Sequence, residues 1–407
     1  MNKLTITREN GNIGRTAPGE DHVSGLLFIL PSADTQFIKK AADRNATFAI
    51  GPDTLKDEER FQNDSAPFYE IVNYHVDEAF RANPAISLYL RMALLGTSAD
   101  YTAVCTQIQT MQRDCGGRLR QIAVIDCLNN ASMSVAQRFI GEIQVAIEAC
   151  DTEQNAPLSV LYSPIMKLNS SDTQSVTQFP GLTSSDKIIG CEGVSVLIGA
   201  DLGDERARAI FGTFGSYPGI GGLALGLLSA AGVHESIGWV KKFPTGITTP
   251  GVVTGEAYTA LNNTLIEALD EVGYIFPVTY PGVAGVYLND SHVMTAPTDD
   301  YAHIENVRTM DKAVRGIRAA LTPELGGNIY IDASTGKMQP YTVEHLKTVA
   351  GRTLENMEKA GELSGYAVEI DPEQNVLATS TVDIKIKKVD VGVMRNIRLS
   401  IGNVTAL

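Results

Sequence analysis

Apolar residues fall along this chain in two recurring patterns. Short unbroken runs have the length of strands, and longer stretches place an apolar residue at every third or fourth position. Residues 25–30 are a buried-strand run. The stretch 67–81 puts Phe68, Ile71, Val72, Val76, Ala79 and Phe80 on one helical face, with Pro67 suited to the first turn. A strand at 86–90 follows, then a helix carrying Val104, Ile108 and Met111 with Asp100 as its cap, then a strand at 121–125. A helix over 134–149, a strand at 158–162 and a buried strand at 194–198 continue the alternation. Strands alternating with helices indicate an α/β or α+β fold.

The helical period returns near Ala257, where Tyr258, Leu261, Leu265, Ala268 and Val272 share a face and Gly273 supplies the stop. A strand over 274–278 is expected next. A long helix from about Asp300 to Leu321 turns Ile304, Val307, Val314, Ile317 and Leu321 inward, with Asp299 and Asp300 at its positive end and Pro323 past its close. Residues 340–360 form a further helix on Val343, Leu346, Ala350, Leu354 and Met357. A small sheet follows, with Tyr366, Val368 and Ile370 alternating on one strand and Val382, Ile384 and Ile386 on another.

Both ends of the chain read as short strands. Leu4, Thr5, Ile6 and Thr7 alternate apolar and polar ahead of a segment, 10–19, with almost nothing to bury. Ile397, Arg398, Leu399, Ser400 and Ile401 do the same at the other end. Such arms are suited to completing a sheet in another copy, and their natural host is the sheet of Tyr366, Val368, Ile370, Val382, Ile384 and Ile386.

A chain of 407 residues is expected to form more than one domain. The divisions read from the sequence are an arm at 1–20, an α/β part at 21–255, a core domain at 256–393 and an arm at 394–407. The net charge of -14 makes nucleic acid and anionic lipid poor partners, so neither nucleic-acid binding nor membrane insertion is expected. No leader pattern follows Met1. The run 219–233 is too short and too glycine-rich for a membrane span, and reads as packed helix or loop. Five cysteines without CxxC spacing read as buried apolar residues in a reducing compartment.

Fragments that imitate catalytic motifs each miss a physical requirement. Residues 219–224 match a dinucleotide fingerprint by letter, but Tyr217-Pro218 stands where a buried strand is needed. Ser334 to Lys337 resembles a phosphate loop, with Ile331 where the leading glycine belongs. His234-Glu235 begins like a zinc helix, but Gly238 occupies the second histidine position. His75, His292, His303 and His345 lack short-range partners at ligand spacing. No catalytic, cofactor or metal residue is therefore named, and no cofactor is expected. Arg308, Lys312 and Arg315, spaced four and three, make a basic stripe on a helix, either solvated or facing an acidic partner.

From Glu256 to Leu407 the order of these features resembles contractile phage tail sheath proteins. The helix stopping at Gly273, the phrase 285–290, the helix beginning in 301–308 and above all the phrase 361–371 carry the resemblance. Residues 51–55 and the helix–strand pair 67–90 resemble the first half of that fold more loosely. The short sheath type of Mu-like prophages is similar in its compactness. The resemblance implies a sheath-like core of mixed sheets flanked by helices, with extended strand arms, polymerised as stacked sixfold rings. Its implied partners are other copies of itself, an inner tail-tube protein that Arg308, Lys312 and Arg315 would face, and baseplate and tail-terminator proteins. Such particles assemble in the bacterial cytoplasm. The alternative is an α/β nucleotide-binding enzyme using the glycine-rich region 215–232.

Overall fold

The structure is a computed structural model and describes residues 20–31, 38–39, 44–56, 61, 67–95, 101–127, 133–164, 176–179 and 190–403. The arm residues Leu4, Thr5, Ile6 and Thr7 lie outside the described residues, as does Asp100.

A central strand organises the larger part of the fold. β1 (Val23–Pro31) is an apolar run whose residues Leu26 to Leu30 are fully buried, as expected of a strand covered on both faces. It pairs in parallel with β3 (Ser87–Leu95) on one side and β4 (Gln121–Asp126) on the other. β5 (Ser159–Pro164), β6 (Val194–Leu197) and β9 (Tyr274–Ile275) extend the sheet in parallel, and β2 (Thr47–Ile50) closes the far edge antiparallel to β3. Among the described residues the order is β2-β3-β1-β4-β5-β6-β9. Helices α1 (Pro67–Ala82) and α5 (Gly221–Ala230) pack on β1, and α2 (Tyr101–Asp114) and α3 (Met133–Thr152) connect and cover the following strands. The architecture is mixed α/β with small additional sheets, as the alternation of periods indicates.

α5 explains the glycine-rich run. It carries no charged residue, nine of its ten positions are buried, and it crosses α1 closely. A Cβ on Gly222 would stand 2.1 Å from the His75 carbonyl oxygen, and one on Gly226 would stand 2.5 Å from that of Ala79. The glycines let two helix backbones touch. Gly222 N–H donates to His75 Nδ1 at 3.1 Å, and burial, the main cause, drives the pKa of His75 down to about 3, so the ring is neutral.

Two expected elements end early for local reasons. The strand expected over 274–278 divides into β9 and β10 (Pro277–Val278), which pairs with β11 (Tyr287–Leu288). Pro277 has no N–H to give a ladder, and Phe276 N–H is taken by Asn289 Oδ1 at 2.9 Å. The helix expected from Ala257 is a turn at Tyr258–Ala260, a break, and then α6 (Asn263–Val272), capped by Asn262 and stopped by Gly273 at φ 97°. Because β9 belongs to the large sheet, a division at 255/256 cuts through that sheet rather than between units.

The remaining residues build a smaller lobe. α7 (Ile304–Leu321) gives Ile304 and Val307 to the large core and Ala313 and Ile317 to the small one, so it bridges the two. It starts at Ile304, later than the sequence pattern suggests, because residues before it are held extended: Val293 N–H donates to Ala302 O at 3.0 Å and Ile304 N–H to Ser291 O at 2.9 Å. Asp299 accordingly caps a turn at Tyr301 rather than the helix. α8 (Pro340–Lys359) packs against α7 and against β12 (Leu363–Ile370), which pairs antiparallel with β13 (Ile384–Asp390).

Candidate assembly surface

The small lobe's sheet is two-stranded among the described residues, so β12 and β13 each show a ladder partner on one side only. The register runs from Ile370 opposite Ile384 through Val368 opposite Ile386 to Tyr366 opposite Lys388. Tyr366, Val368 and Ile386 pack on the cluster of Ala313, Leu354, Met357 and Leu363. Ile384 and Val382 pack beside Ile370, on Met338, Val343 and Leu346. The side chains expected to form an accepting sheet are therefore committed to their own core; what the sheet offers outward is backbone. Val382 lies two residues ahead of β13 and outside the ladder. On the outer face Lys387 pairs with Glu369 at 2.9 Å.

Past β13 the chain makes no ladder through Asn403. Among the described residues, none pairs with Ile397, Arg398, Leu399, Ser400 and Ile401, and the strand expected there is not formed. Ile397 is 75% exposed, Leu399 86% and Ile401 92%. The root of this tail is held by Arg395. Its guanidinium donates to Asp290 Oδ2 at 2.7 Å and to Glu305, whose side chain is only 2% exposed.

Arg395 enters a cluster that sequence spacing did not disclose. An antiparallel bridge sets His292 opposite His303, ring centroids 5.5 Å apart, beside Asp290. His292 Nε2 lies 3.0 Å from Asp270 Oδ1, which also accepts from Asn289 Nδ2 at 2.7 Å. Burial alone would raise both carboxyl pKa values; Arg395 with the histidines outweighs it at Asp290, and His292 with Asn289 and His303 at Asp270, so both lie below the usual range. Burial, then Arg395, lowers the pKa of His303. The two histidines stand eleven positions apart, and only the bridge between their strands brings them together, so no motif could have shown them.

The basic stripe turns inward. Arg308 is 4% exposed and donates to the carbonyl oxygens of Ala231 and Gly232 at 3.1–3.3 Å. Lys312 binds Asp21 at 2.7 Å and Glu362 at 2.6 Å, and Arg315 lies 3.5 Å from Asp21. The spacing gave one face correctly, but that face meets the chain's own acids and carbonyls, which corrects the reading of a solvated or tube-facing stripe. Glu235, in the zinc-like fragment, pairs with Lys242.

Comparison with known families places this lobe. Residues 165–292 match the DUF2586 N-terminal domain and residues 300–407 the DUF2586 C-terminal domain. The chain thus matches both DUF2586 domain models, in order. The DUF2586 matches meet between 292 and 300, at the strand-like segment leading into α7 and within the Asp290–His303 cluster. A comparison with curated proteins gives no match. Among solved structures, a chain of the anti-feeding prophage baseplate, sixfold symmetrised, superposes with a TM-score of 0.59 at 14% identity, covering 99% of each chain. A chain of an extracellular contractile injection system, the PVC sheath complex in its contracted state, gives 0.56 at 11% identity, covering 100% of this chain and 98% of that one. At these identities the likeness is one of fold, and it extends over the whole chain.

Proposed function

We propose that this chain is a structural subunit of a contractile injection particle or phage-type tail, and specifically its sheath. On this reading copies stack as sixfold rings around an inner tube and contract to drive it through a target envelope, ending on baseplate and terminator proteins. The particle is assembled in the bacterial cytoplasm. The observation that carries the reading is end-to-end fold likeness to chains from two such particles. The exposed apolar tail supports the strand-lending part: Ile397, Leu399 and Ile401 are alternate residues, so they share one face of an extended strand, and that face is buried only when another sheet receives it. The glycines of the enzyme alternative have a packing role against α1. None of the described helices is long and apolar enough to cross a membrane.

Electron microscopy of the purified chain tests the reading. Long hollow cylinders with sixfold ends are expected. Removal of residues 1–16, or of 394–407, should leave a folded subunit, by circular dichroism, that forms none. Normal cylinders from both truncations would refute strand lending, and compact oligomers with bound nucleotide would refute the sheath reading. Because one similar chain comes from a baseplate, labelled protein should be located along the particle: a distribution over its length supports the sheath, and confinement to one end contradicts it.

A further inference from the structure

The geometry points to a divalent transition-metal site formed by Asp290, His292 and His303 at the root of the C-terminal tail. Three observations, independent of the proposed function, carry this. One donor atom from each of the three residues lies within 4.8 Å of the others. Ligands about 2.1 Å from one ion stand roughly 3.4 Å apart in a tetrahedral set, so closure by about 1 Å of side-chain rotation completes the triad. Next, His292 is already oriented as metal-bound histidines are: Asp270 Oδ1 holds Nε2 at 3.0 Å and is itself fixed by Asn289, leaving Nδ1 of His292 for an ion. Finally, His303 Nδ1 is buried with no hydrogen-bond partner. A bound ion would supply the partner that this nitrogen lacks.

Charge agrees with the geometry. Asp270, Asp290 and Glu305 bring three carboxylates together, and among the described residues the guanidinium hydrogen-bonded to them is that of Arg395. A divalent ion balances what Arg395 leaves. Two imidazoles and one carboxylate suit zinc, cobalt or nickel better than magnesium or calcium, which prefer oxygen. Asp290 Oδ1 accepts from Ser291 N–H at 2.7 Å and Oδ2 from Arg395 Nε at 2.7 Å, so an ion bound by Asp290 shares this carboxylate with Arg395. Metal and Arg395 therefore draw on the same carboxylate charge, and loading the site weakens the hold of Arg395 on the root of the tail.

Titration of the chelator-treated full chain with cobalt(II), followed by calorimetry and visible absorption, tests this. One ion per chain is expected, with the spectrum of a nitrogen- and oxygen-ligated ion. Asp270→Ala should weaken binding by about 10–100-fold by freeing the His292 ring. Arg395→Gln should tighten it, a result that a merely adventitious surface histidine would not give. As a readout on the unaltered protein, zinc should shield His292 and His303 from diethyl pyrocarbonate while leaving exposed His345 reactive. No binding by the wild type, equal binding after His292→Ala with His303→Ala, or equal modification with and without zinc each overturns the site.

Discussion

Gly222→Ala and Gly141→Ala make the same chemical change in two helices and should move stability in opposite directions. At Gly222 the added methyl lies 2.1 Å from the His75 carbonyl oxygen, 2.7 Å from its carbonyl carbon and 2.8 Å from its Cα. All three are backbone atoms inside α1, so no side chain can swing aside. Ordinary contact requires α1 and α5 to separate by more than about 1 Å, yet both are pressed onto the same sheet in a close-packed interior. Overpacking of this kind costs about 1–3 kcal/mol. The Gly222 N–H to His75 Nδ1 bond lengthens with the separation, adding about 0.5–1.5 kcal/mol. Alanine's helix propensity returns at most about 1 kcal/mol. The net is a loss of about 0.5–3.5 kcal/mol. At Gly141, in α3, an added Cβ meets nothing within 4 Å, so only the propensity gain of up to about 1 kcal/mol remains.

Urea unfolding followed by far-UV circular dichroism, with Trp239 fluorescence as a second probe, separates the two. The midpoint should fall for Gly222→Ala and hold or rise for Gly141→Ala. Equal shifts, or an unchanged midpoint for Gly222→Ala, would refute the helix-contact account of the glycine-rich run and return its glycines to consideration as a ligand loop.

Other expectations rest on the charges and the tail. Lys312→Met leaves Asp21 and Glu362 facing each other's vacancy and should cost about 1–3 kcal/mol, toward the low end because the group is partly solvated, as read by thermal melting. Asp21 has its pKa held below 3.8: burial opposes this, and the Lys312 bond with the Arg315 and Arg308 charges overcomes it. Its contribution is therefore complete above about pH 4 and lost as pH falls through the lowered value, so Asp21→Asn should flatten the acid limb of a stability–pH profile. Arg308→Glu aims a carboxylate at two carbonyl oxygens and should destabilise the subunit itself by at least about 3 kcal/mol, visible in melting before any assembly assay. Substituting Asp at Ile397, Leu399 and Ile401 together should leave the subunit's melting within about 0.5 kcal/mol of wild type while abolishing cylinders in electron microscopy.

Elements whose pattern is set by their own residues were legible from the sequence. β1 is an apolar run because both its faces are covered, α1 and α8 carry unmistakable helical faces, and Gly273 ends α6 where a left-handed residue is needed. What escaped was decided by distant partners. The stripe of Arg308, Lys312 and Arg315 shares a face by spacing alone, but Asp21, which fixes the direction of that face, is 291 positions from Lys312. The start of α7 was misplaced because the bridge to residues 291–293 holds its leading residues extended against their helical pattern. The same bridge assembles the Asp290, His292 and His303 group. Periodicity reports which residues face together, and it is silent on what they face.

The tail brings the local and collective arguments together. Its three exposed aliphatic residues contribute nothing to the isolated subunit, and each gains about 1.5–3 kcal/mol on full burial. A four-bond ladder adds about 2–6 kcal/mol, before the cost of ordering the tail residues is subtracted. One such junction is a modest attachment; in a lattice where each copy gives and receives, it is reinforced by every neighbour. On the proposed strand-lending reading, charge distinguishes the edge that would receive it. β13 carries Lys385, Lys387 and Lys388, a guard against casual pairing, whereas β12 between Leu363 and Ile370 carries only Glu369. The open edge of β12 is thus the more permissive host. Arg398, alternating with the aliphatic residues, faces away from them and is placed to meet an acid on the opposite face, where Glu369 already pairs with Lys387. Reversing Glu369 to lysine should therefore weaken assembly while leaving the subunit's own melting close to wild type, since the pair it breaks is solvent-exposed. Assembly unchanged by Glu369→Lys would point to the β13 edge instead.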